Sequence, residues 1–410
     1  MRHQGDSRPP EPAGAGGGRS ASKAQASTQG EEVKIAYVYD VIYPYVVGGV
    51  EKRIWEMGTR LAARGHEVRI FGMKHWEGSS VLRRDGVCLH GVCPPRELFE
   101  GARRSIGEAI YFATRVLGPL SGDHFDIIDC QNFPYFPCFS AKLACLLRGS
   151  SLVITWHEVW DDYWYSYLGG MGALGKAVER TVSRLTGTMI AVSESTRSGL
   201  LKIGVKGNVA VVPNGIDFKA VQAVPPSQEK SDIIFAGRLI REKNLDLLLR
   251  SVDLVRREHP DVRCHIIGEG PERERIQRLI EDLRLEENVR LEGFLQMQEE
   301  VFARMKASRV FVLPSEREGF GIVAIEANSC GLPVITVTQP QNASCDLIIE
   351  GKNGFVCQPA AESIAEKIMA VLADGCLASE CESSAQAHDW SNTARMAESV
   401  YEQALSARRV

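Results

Sequence analysis

The feature of this chain that most limits its fold is a regular exchange between two hydrophobic periods. Short β-branched runs (VKIAYVYD, HEVRIFG, FDIIDC, SLVITWH, GTMIAVS and NVAVVPN) alternate with longer stretches whose apolar residues return every three or four positions. A run that is apolar throughout has no face for water, so helices must cover both sides of its sheet. The alternation therefore predicts parallel sheets with helices on each face. VEKRIWEMGTRLAARG is the helix between the first two strands, stopped by Gly65.

The exchange then begins again. SDIIFAGRL opens a second series with VRCHIIGEG, NVRLEGF, RVFVLPS and LPVITVT. The helices NLDLLLRSVDLVRREH and PERERIQRLIEDLRL separate them, the latter with Pro271 at its first position. The break falls in PNGIDFKAVQAVPPSQEKSD, where Pro, Gly and polar residues interrupt the pattern. A chain of 410 residues is long enough for two such cores. The expected fold is α/β, with two Rossmann-like, doubly wound domains, 31–215 and 216–390, facing each other across a cleft. Residues 391–410 read as an amphipathic helix capped by Ser391 that returns to the first domain. Residues 1–30, rich in Gly, Ala, Ser, Pro and Gln, read as a disordered tail.

Composition narrows the class. Hydrophobic residues make up 44% and charged residues 24%, ordinary for a soluble enzyme. No apolar run spans a bilayer, and no stretch resembles a signal peptide. Eleven cysteines carry no C-x-x-C pair or zinc spacing, which points to a reducing, cytoplasmic compartment. The net charge of −4 divides unevenly: residues 31–215 hold 21 Lys and Arg against 19 Asp and Glu, and residues 216–410 hold 23 against 31. No basic stripe with interleaved aromatics is present, so nucleic acid is not an expected partner.

In open α/β sheets ligands collect beyond the carboxyl ends of the strands. The chemically useful residues sit there. After VFVLPS come Glu318, then Gly319-Phe320-Gly321 at a helix start, then Glu326 on the helix flank. Such a helix end exposes free N–H groups and a partial positive charge suited to phosphate. The two carboxylates suit the hydroxyls of a ribose and of a sugar; a helix-dipole residue and a buried ion pair fit them as well. After DIIFAG come Arg238 and Lys243, a fork and a point charge that neutralise a diphosphate or simply form a charged turn. Gly48 and Gly49 before the first helix, and Gly268 after VRCHII, allow close backbone approach to a ligand or a plain tight turn. His157, at the mouth of SLVITWH, either meets a substrate hydroxyl or is a structural histidine. His and Cys nowhere group as metal ligands.

Taken in order, these motifs resemble the retaining glycosyltransferases of the GT-B fold, the large family-4 group, from about Val33 to the carboxyl end. The most specific match is E-x7-E, Glu318 to Glu326, in PSEREGFGIVAIEANSCGLPVI. AGRLIREKN, GEGPER, VVPNGID, AVSES and the Gly-Gly loop support it. The resemblance implies a donor site in the second domain and an acceptor site in the first. It implies that Glu318 contacts the donor sugar and Glu326 the ribose of the nucleotide. Arg238 and Lys243 then bind the diphosphate and stabilise its charge on departure. Gly48 and Gly49 lie near the phosphates, His157 near the transferred sugar, and Gly268, Gly319, Phe320 and Gly321 complete the donor site. The implied reaction moves a sugar from a UDP- or GDP-sugar to a hydroxyl of a glycan, lipid-linked or small-molecule acceptor. It proceeds with retention, without a metal or other cofactor, and without a carboxylate nucleophile.

The rival of another class, a nicotinamide-dependent oxidoreductase, lacks its G-x-G-x-x-G here. A catalytically silent scaffold subunit of the same fold is a third reading, and intact Glu318, Glu326, Arg238 and Lys243 argue against it. TWHEVWDDYWYSYLGG gathers Trp156, Trp160, Tyr163, Trp164, Tyr165 and Tyr167. Such rings stack on an acceptor sugar, meet a membrane interface, or fill a core. With Arg96, Arg103, Arg104 and Arg115 nearby, the acceptor reading carries peripheral contact with the cytoplasmic membrane face.

Overall fold

The computed structural model describes residues 32–100, 103–374 and 377–409, so the stretch read as a tail lies outside it. The first strands are β1 (Lys34–Val38), β2 (Glu67–Gly72), β3 (Val81–Arg84) and β4 (Val87–Gly91), followed by a small pair, β5 (Phe99–Glu100) and β6 (Arg103–Arg104). Next come β7 (Ile127–Gln131), β8 (Ser151–Trp156), β9 (Thr188–Ala191) and β10 (Asn208–Val211). Eight of these form one sheet in the order β10-β9-β8-β7-β1-β2-β4-β3, parallel except for the β3–β4 hairpin.

The second series holds β11 (Ile233–Ala236), β12 (Cys264–Ile267), β13 (Val289–Gly293), β14 (Val310–Leu313), β15 (Arg317–Glu318), β16 (Val334–Val337), β17 (Gln341–Asn342) and β18 (Gly354–Cys357). Six of them make a parallel sheet, β13-β12-β11-β14-β16-β18, and β15 pairs with β17 apart from it. β11, β12, β14 and β16 are buried along their whole length, as unbroken apolar runs require.

Helices fill the connections. In the first domain these are α1 (Gly49–Ala63), α2 (Ile106–Gly122), α3 (Phe136–Arg148), α4 (Tyr163–Leu168), α5 (Gly172–Val182) and α6 (Glu194–Lys202). The second has α7 (Phe218–Ala223), α8 (Leu245–Val255), α9 (Arg273–Asp282), α10 (Gln298–Lys306), α11 (Ile322–Ser329), α12 (Ala361–Asp374) and α13 (Ala378–Gln386). The last, α14 (Trp390–Arg409), packs on α1, β8 and β9 of the first sheet. Two helix starts differ from the sequence reading. Pro271 lies in the turn before α9, and Asp389, not Ser391, caps α14, its carboxylate accepting the Ser391 N–H at 2.8 Å.

The chain crosses between the sheets twice, side by side. The Ile216 N–H donates to His388 O at 2.9 Å, and the Trp390 N–H donates to Ile216 O at 3.2 Å. Arg53 of α1 grips this crossing, donating to Pro213 O and Asn214 Oδ1, each at 2.8 Å, and to Val212 O at 3.0 Å. Strand order reverses at β1 in one sheet and at β11 in the other. Crevices open at the carboxyl ends of such strands.

Candidate functional site

Arg238 and Lys243 leave the end of β11. The Lys243 ammonium pairs with the Glu318 carboxylate, which also accepts the Ser315 hydroxyl at 2.7 Å. The Arg238 side chain is exposed and makes no hydrogen bond or ion pair among the described residues, while its carbonyl accepts the Ile240 N–H at 3.0 Å. Glu318 is not a first-turn helix residue: it sits in β15, and α11 starts four positions later behind Gly321. Phe320 turns inward, 5% exposed, with its ring 6.0 Å from that of His388, so its backbone alone is left for a ligand. Gly268, at the end of β12, is glycine for packing: a Cβ there would lie 1.8 Å from Gly237 O.

Glu326 occupies the flank of α11. Its Oε1 accepts from Gln298 Nε2 at 2.6 Å and lies 3.5 Å from Lys52 Nζ, which itself donates to Gln298 Oε1 at 2.7 Å. Oε2 makes no hydrogen bond among the described residues. Lys52 belongs to α1, so the ion pair crosses the cleft. The amino ends of the two helices also meet, because a Cβ at Gly49 would stand 3.4 Å from Ile322 Cδ1. Two helix amino ends at one place concentrate partial positive charge beside Gly48, Gly49 and Gly321.

His157 closes the first-domain side. Its carbonyl oxygen would be 2.3 Å from any Cβ at Gly319, so only glycine lets the two loops come this near. Ser193 Oγ donates to Gly319 O at 2.9 Å and strengthens the contact. The His157 Nε2 lies 2.8 Å from Gln131 Oε1. Burial, helped by the Arg53 cation, pushes this imidazole down to about 3, so it is neutral.

Arg317 makes a second crossing. It pairs with Glu158 at 2.9 Å and lies 3.9 Å from the Tyr163 ring centroid and 4.7 Å from that of Trp160. The rings themselves are not an open platform. Trp156 is 0% exposed, and Trp160 and Trp164 are 6% each, packed with Phe133, Tyr135 and Tyr167. Buried Glu179 holds their loop inward by accepting the Trp160 and Asp161 N–H groups at 2.8 Å. Sugar stacking by Trp160 and Trp164 is therefore overturned, and Tyr165 is the exposed ring of the stretch. Behind the Gly48 loop, buried Asp40 pairs with Arg104, which takes that arginine away from the surface. Burial pushes the neighbouring carboxyls up, Glu51 to about 7 and Glu108 to about 8.

Two family models match this chain, Glycosyltransferase Family 4 over residues 47–220 and Glycosyl transferases group 1 over residues 217–395. The chain belongs to the group 1 glycosyltransferases of the GT-B fold. It is a glycosyl-transferring enzyme. This glycosyltransferase is 23% identical to the phosphatidylinositol N-acetylglucosaminyltransferase gpi3 subunit of Schizosaccharomyces pombe, over 90% of its own chain and 80% of the relative's. Its fold matches sucrose-phosphate synthase from Thermosynechococcus elongatus with a TM-score of 0.74 at 20% identity, covering 91% and 99% of the two chains. Anabaena HepE, in complex with UDP-glucose, matches at 0.68 and 18% identity, over 90% and 100%.

The candidate site also holds residues to which the sequence reading gave no role: Lys52, Gln298, Gln131, Arg317 and Glu158. Lys52 had a signal. Three positions after Gly49 on a helix, it must share that glycine's side. Gln298 and Gln131 had none, being single polar residues at the edges of apolar patterns.

Proposed function

We propose that this glycosyltransferase moves a hexosyl group from a nucleoside-diphosphate sugar to an acceptor hydroxyl, with retention at the anomeric carbon and no metal ion. The observation that carries the reading is the meeting of the α1 and α11 amino ends beside Arg238, Lys243 and Glu318. The UDP-glucose complex of the similar Anabaena protein supports a nucleotide-sugar donor. The diphosphate lies between the helix ends, with Arg238 and Lys243 taking its charge. Ribose hydroxyls meet Glu326, and sugar hydroxyls meet Glu318 and His157. The bond from the anomeric carbon to the phosphate oxygen breaks as the acceptor oxygen bonds on the same face. The acceptor proton passes to the departing phosphate oxygen, so no carboxylate nucleophile is assigned.

The second domain holds the donor and the first the acceptor, a glycan, a lipid-linked molecule or a small molecule. A lipid-linked acceptor is supported by the exposed side of α2, where Ile106 is 51% and Ile110 44% exposed, with Arg103 three residues before Ile106 and exposed Arg115 further round the helix. The single acidic residue of that helix, Glu108, is buried. No helix among the described residues is long and apolar enough to cross a membrane. With the ten described cysteines all free, this supports a cytoplasmic enzyme with peripheral membrane contact.

Thermal shift with UDP, GDP and ADP, followed by transfer assays with the matching sugar nucleotides, tests the reading. A ligand at roughly 100 times its dissociation constant stabilises by about 2.7 kcal/mol. No shift with any of the three would defeat it. The similar yeast protein is named a subunit, which keeps a silent scaffold as the second reading. Donor hydrolysis without acceptor separates the two.

A further inference from the structure

A line of buried polar side chains runs behind His157, in strands that are otherwise apolar. Strand alternation puts Tyr37, Asp129, Gln131, Thr155 and His157 on one face of the first sheet, the face that α14 covers. Buried polar groups are costly unless each meets a partner, and these do. Asp129 accepts from Tyr401 OH at 2.7 Å, from Thr155 Oγ1 at 2.8 Å and from Gln131 Nε2 at 3.1 Å. Burial pushes the Asp129 carboxyl up, and the donated bonds oppose that. Since Tyr401 donates its proton to Asp129, the Tyr37 hydroxyl donates to Tyr401 at 2.9 Å.

The chain of bonds has one direction. Asp129 draws the NH₂ of Gln131 towards itself, so the amide oxygen must face His157. An amide oxygen only accepts, and the His157 Nε2 at 2.8 Å therefore carries the ring proton. Nδ1 is left bare, with no hydrogen bond among the described residues.

We infer that Gln131, oriented by Asp129 and through it by Tyr401 of α14, fixes the tautomer and ring direction of His157 so that Nδ1 accepts a hydroxyl of the transferred sugar. Gln131, Asp129 and Tyr401 are positioning residues, and this role rests on the proposed transfer reaction. Because the ring is neutral, its tautomer is the variable that the line of bonds controls. The device also ties the last helix of the chain to the mouth of β8.

Long-range proton–nitrogen NMR of the full-length protein, labelled in histidine, reads the tautomer directly; a His157→Gln variant assigns the signal. The wild type shows Nε2–H, and Gln131→Met, whose thioether is only a weak acceptor, shows a mixture of tautomers. Kinetically, Gln131→Met lowers kcat about 10- to 100-fold, the range for partners that orient a functional histidine, with the donor KM little changed. In a His157→Ala background the same change adds no further loss, because the two side chains act as one unit. If Gln131→Met does not fold, Tyr401→Phe gives the same readouts with a smaller change in shape. An Nδ1–H wild type, an unchanged tautomer in the variant, or fully additive kinetic losses would overturn the inference. The tautomer measurement needs no turnover. An inactive wild type whose Nε2–H tautomer still becomes mixed in Gln131→Met sinks the transfer reaction and the sugar contact, while leaving the control by Gln131 established.

Discussion

Lys52 and Glu326 meet across the cleft, the lysine Nζ 3.5 Å from Glu326 Oε1, although 274 residues separate them. Both side chains are largely covered, so bulk salt screens the pair less than a surface pair. Gln298 joins them and shares the same carboxylate oxygen. One oxygen thus links the domains, and Oε2 is the one that the proposed ribose contact would use.

Glu326→Gln therefore weakens free nucleoside diphosphate and intact sugar nucleotide by the same factor, roughly tenfold or more for a bond to a charged group. Glu318→Gln weakens mainly the sugar nucleotide. Titration calorimetry of both ligands on both variants measures the four values. A selective loss of the sugar nucleotide in Glu326→Gln would move that carboxylate to the sugar.

Arg238→Ala and Lys243→Ala each lower turnover by roughly 10² to 10³, the cost of removing one preorganised charge stabiliser. Their stabilities diverge. The exposed Arg238 side chain makes no hydrogen bond or ion pair among the described residues, so its loss leaves Tm nearly unchanged. Lys243→Ala strands the Glu318 charge and lowers Tm. EDTA leaves wild-type turnover intact; full loss with recovery on adding Mg²⁺ or Mn²⁺ ends the metal-free proposal.

The strands that build both crevices were legible because their apolar runs are unbroken, as in VKIAYV and VFVL. Glu318 and Glu326 were legible for a related reason, since their spacing is local. The β3–β4 hairpin was passed over because in VLRRDGVCLHG the edge strand β3 is mostly exposed and breaks the apolar run with Arg83 and Arg84, although Asp85-Gly86, both at positive φ, is a hairpin turn. DDYWYSY has no usable period, and its helix α4 is six residues long, so inside and outside were not distinguishable. Lys52 with Glu326 needs the closed cleft, which no local pattern encodes.

The burial of Trp160 and Trp164 gives a stability prediction where sequence had suggested an acceptor effect. Alanine at either position costs about 3–5 kcal/mol, as for large aromatics removed from a core. Urea denaturation measures this. A stable Trp160→Ala variant with a raised acceptor KM would restore the ring to the acceptor site.

Glu51, 6% exposed in the first turn of α1, makes stability depend on pH. Burial raises its carboxyl from the ordinary 4.5 to about 7. The folded chain therefore keeps a proton that the unfolded chain has released, and the associated stability is lost as pH rises through about 7. Every tenfold change in the proton affinity of the carboxyl on folding is worth about 1.4 kcal/mol. Glu51→Gln should match the wild type near pH 4.5 and gain on it by roughly 3 kcal/mol at pH 8, from that scale. Melting curves at both values decide it. Parallel losses across the range would mean that Glu51 ionises freely in the fold.

The exposed side of α2 carries two isoleucines, Ile106 and Ile110, with Arg103 just before the helix and Arg115 further round it. A peripheral helix needs that pairing, because apolar burial and attraction to anionic lipid add. Arg96, stacked on Tyr111 at 3.6 Å, extends the positive side, whereas Arg104 is committed to Asp40. Each cation near an anionic surface contributes about 1 kcal/mol at most and weakens beyond a Debye length. Binding should then be clear on anionic vesicles at low salt and weaker at physiological salt. Flotation with and without anionic lipid, at both salts, measures it. Ile106→Ser with Ile110→Ser should reduce binding at both salts, while Arg103→Ala with Arg115→Ala should remove mainly the salt-dependent part. Neither pair makes a side-chain hydrogen bond or ion pair among the described residues, so turnover on a soluble acceptor should be unchanged. No flotation at either salt would remove the membrane from the proposal and leave a soluble acceptor.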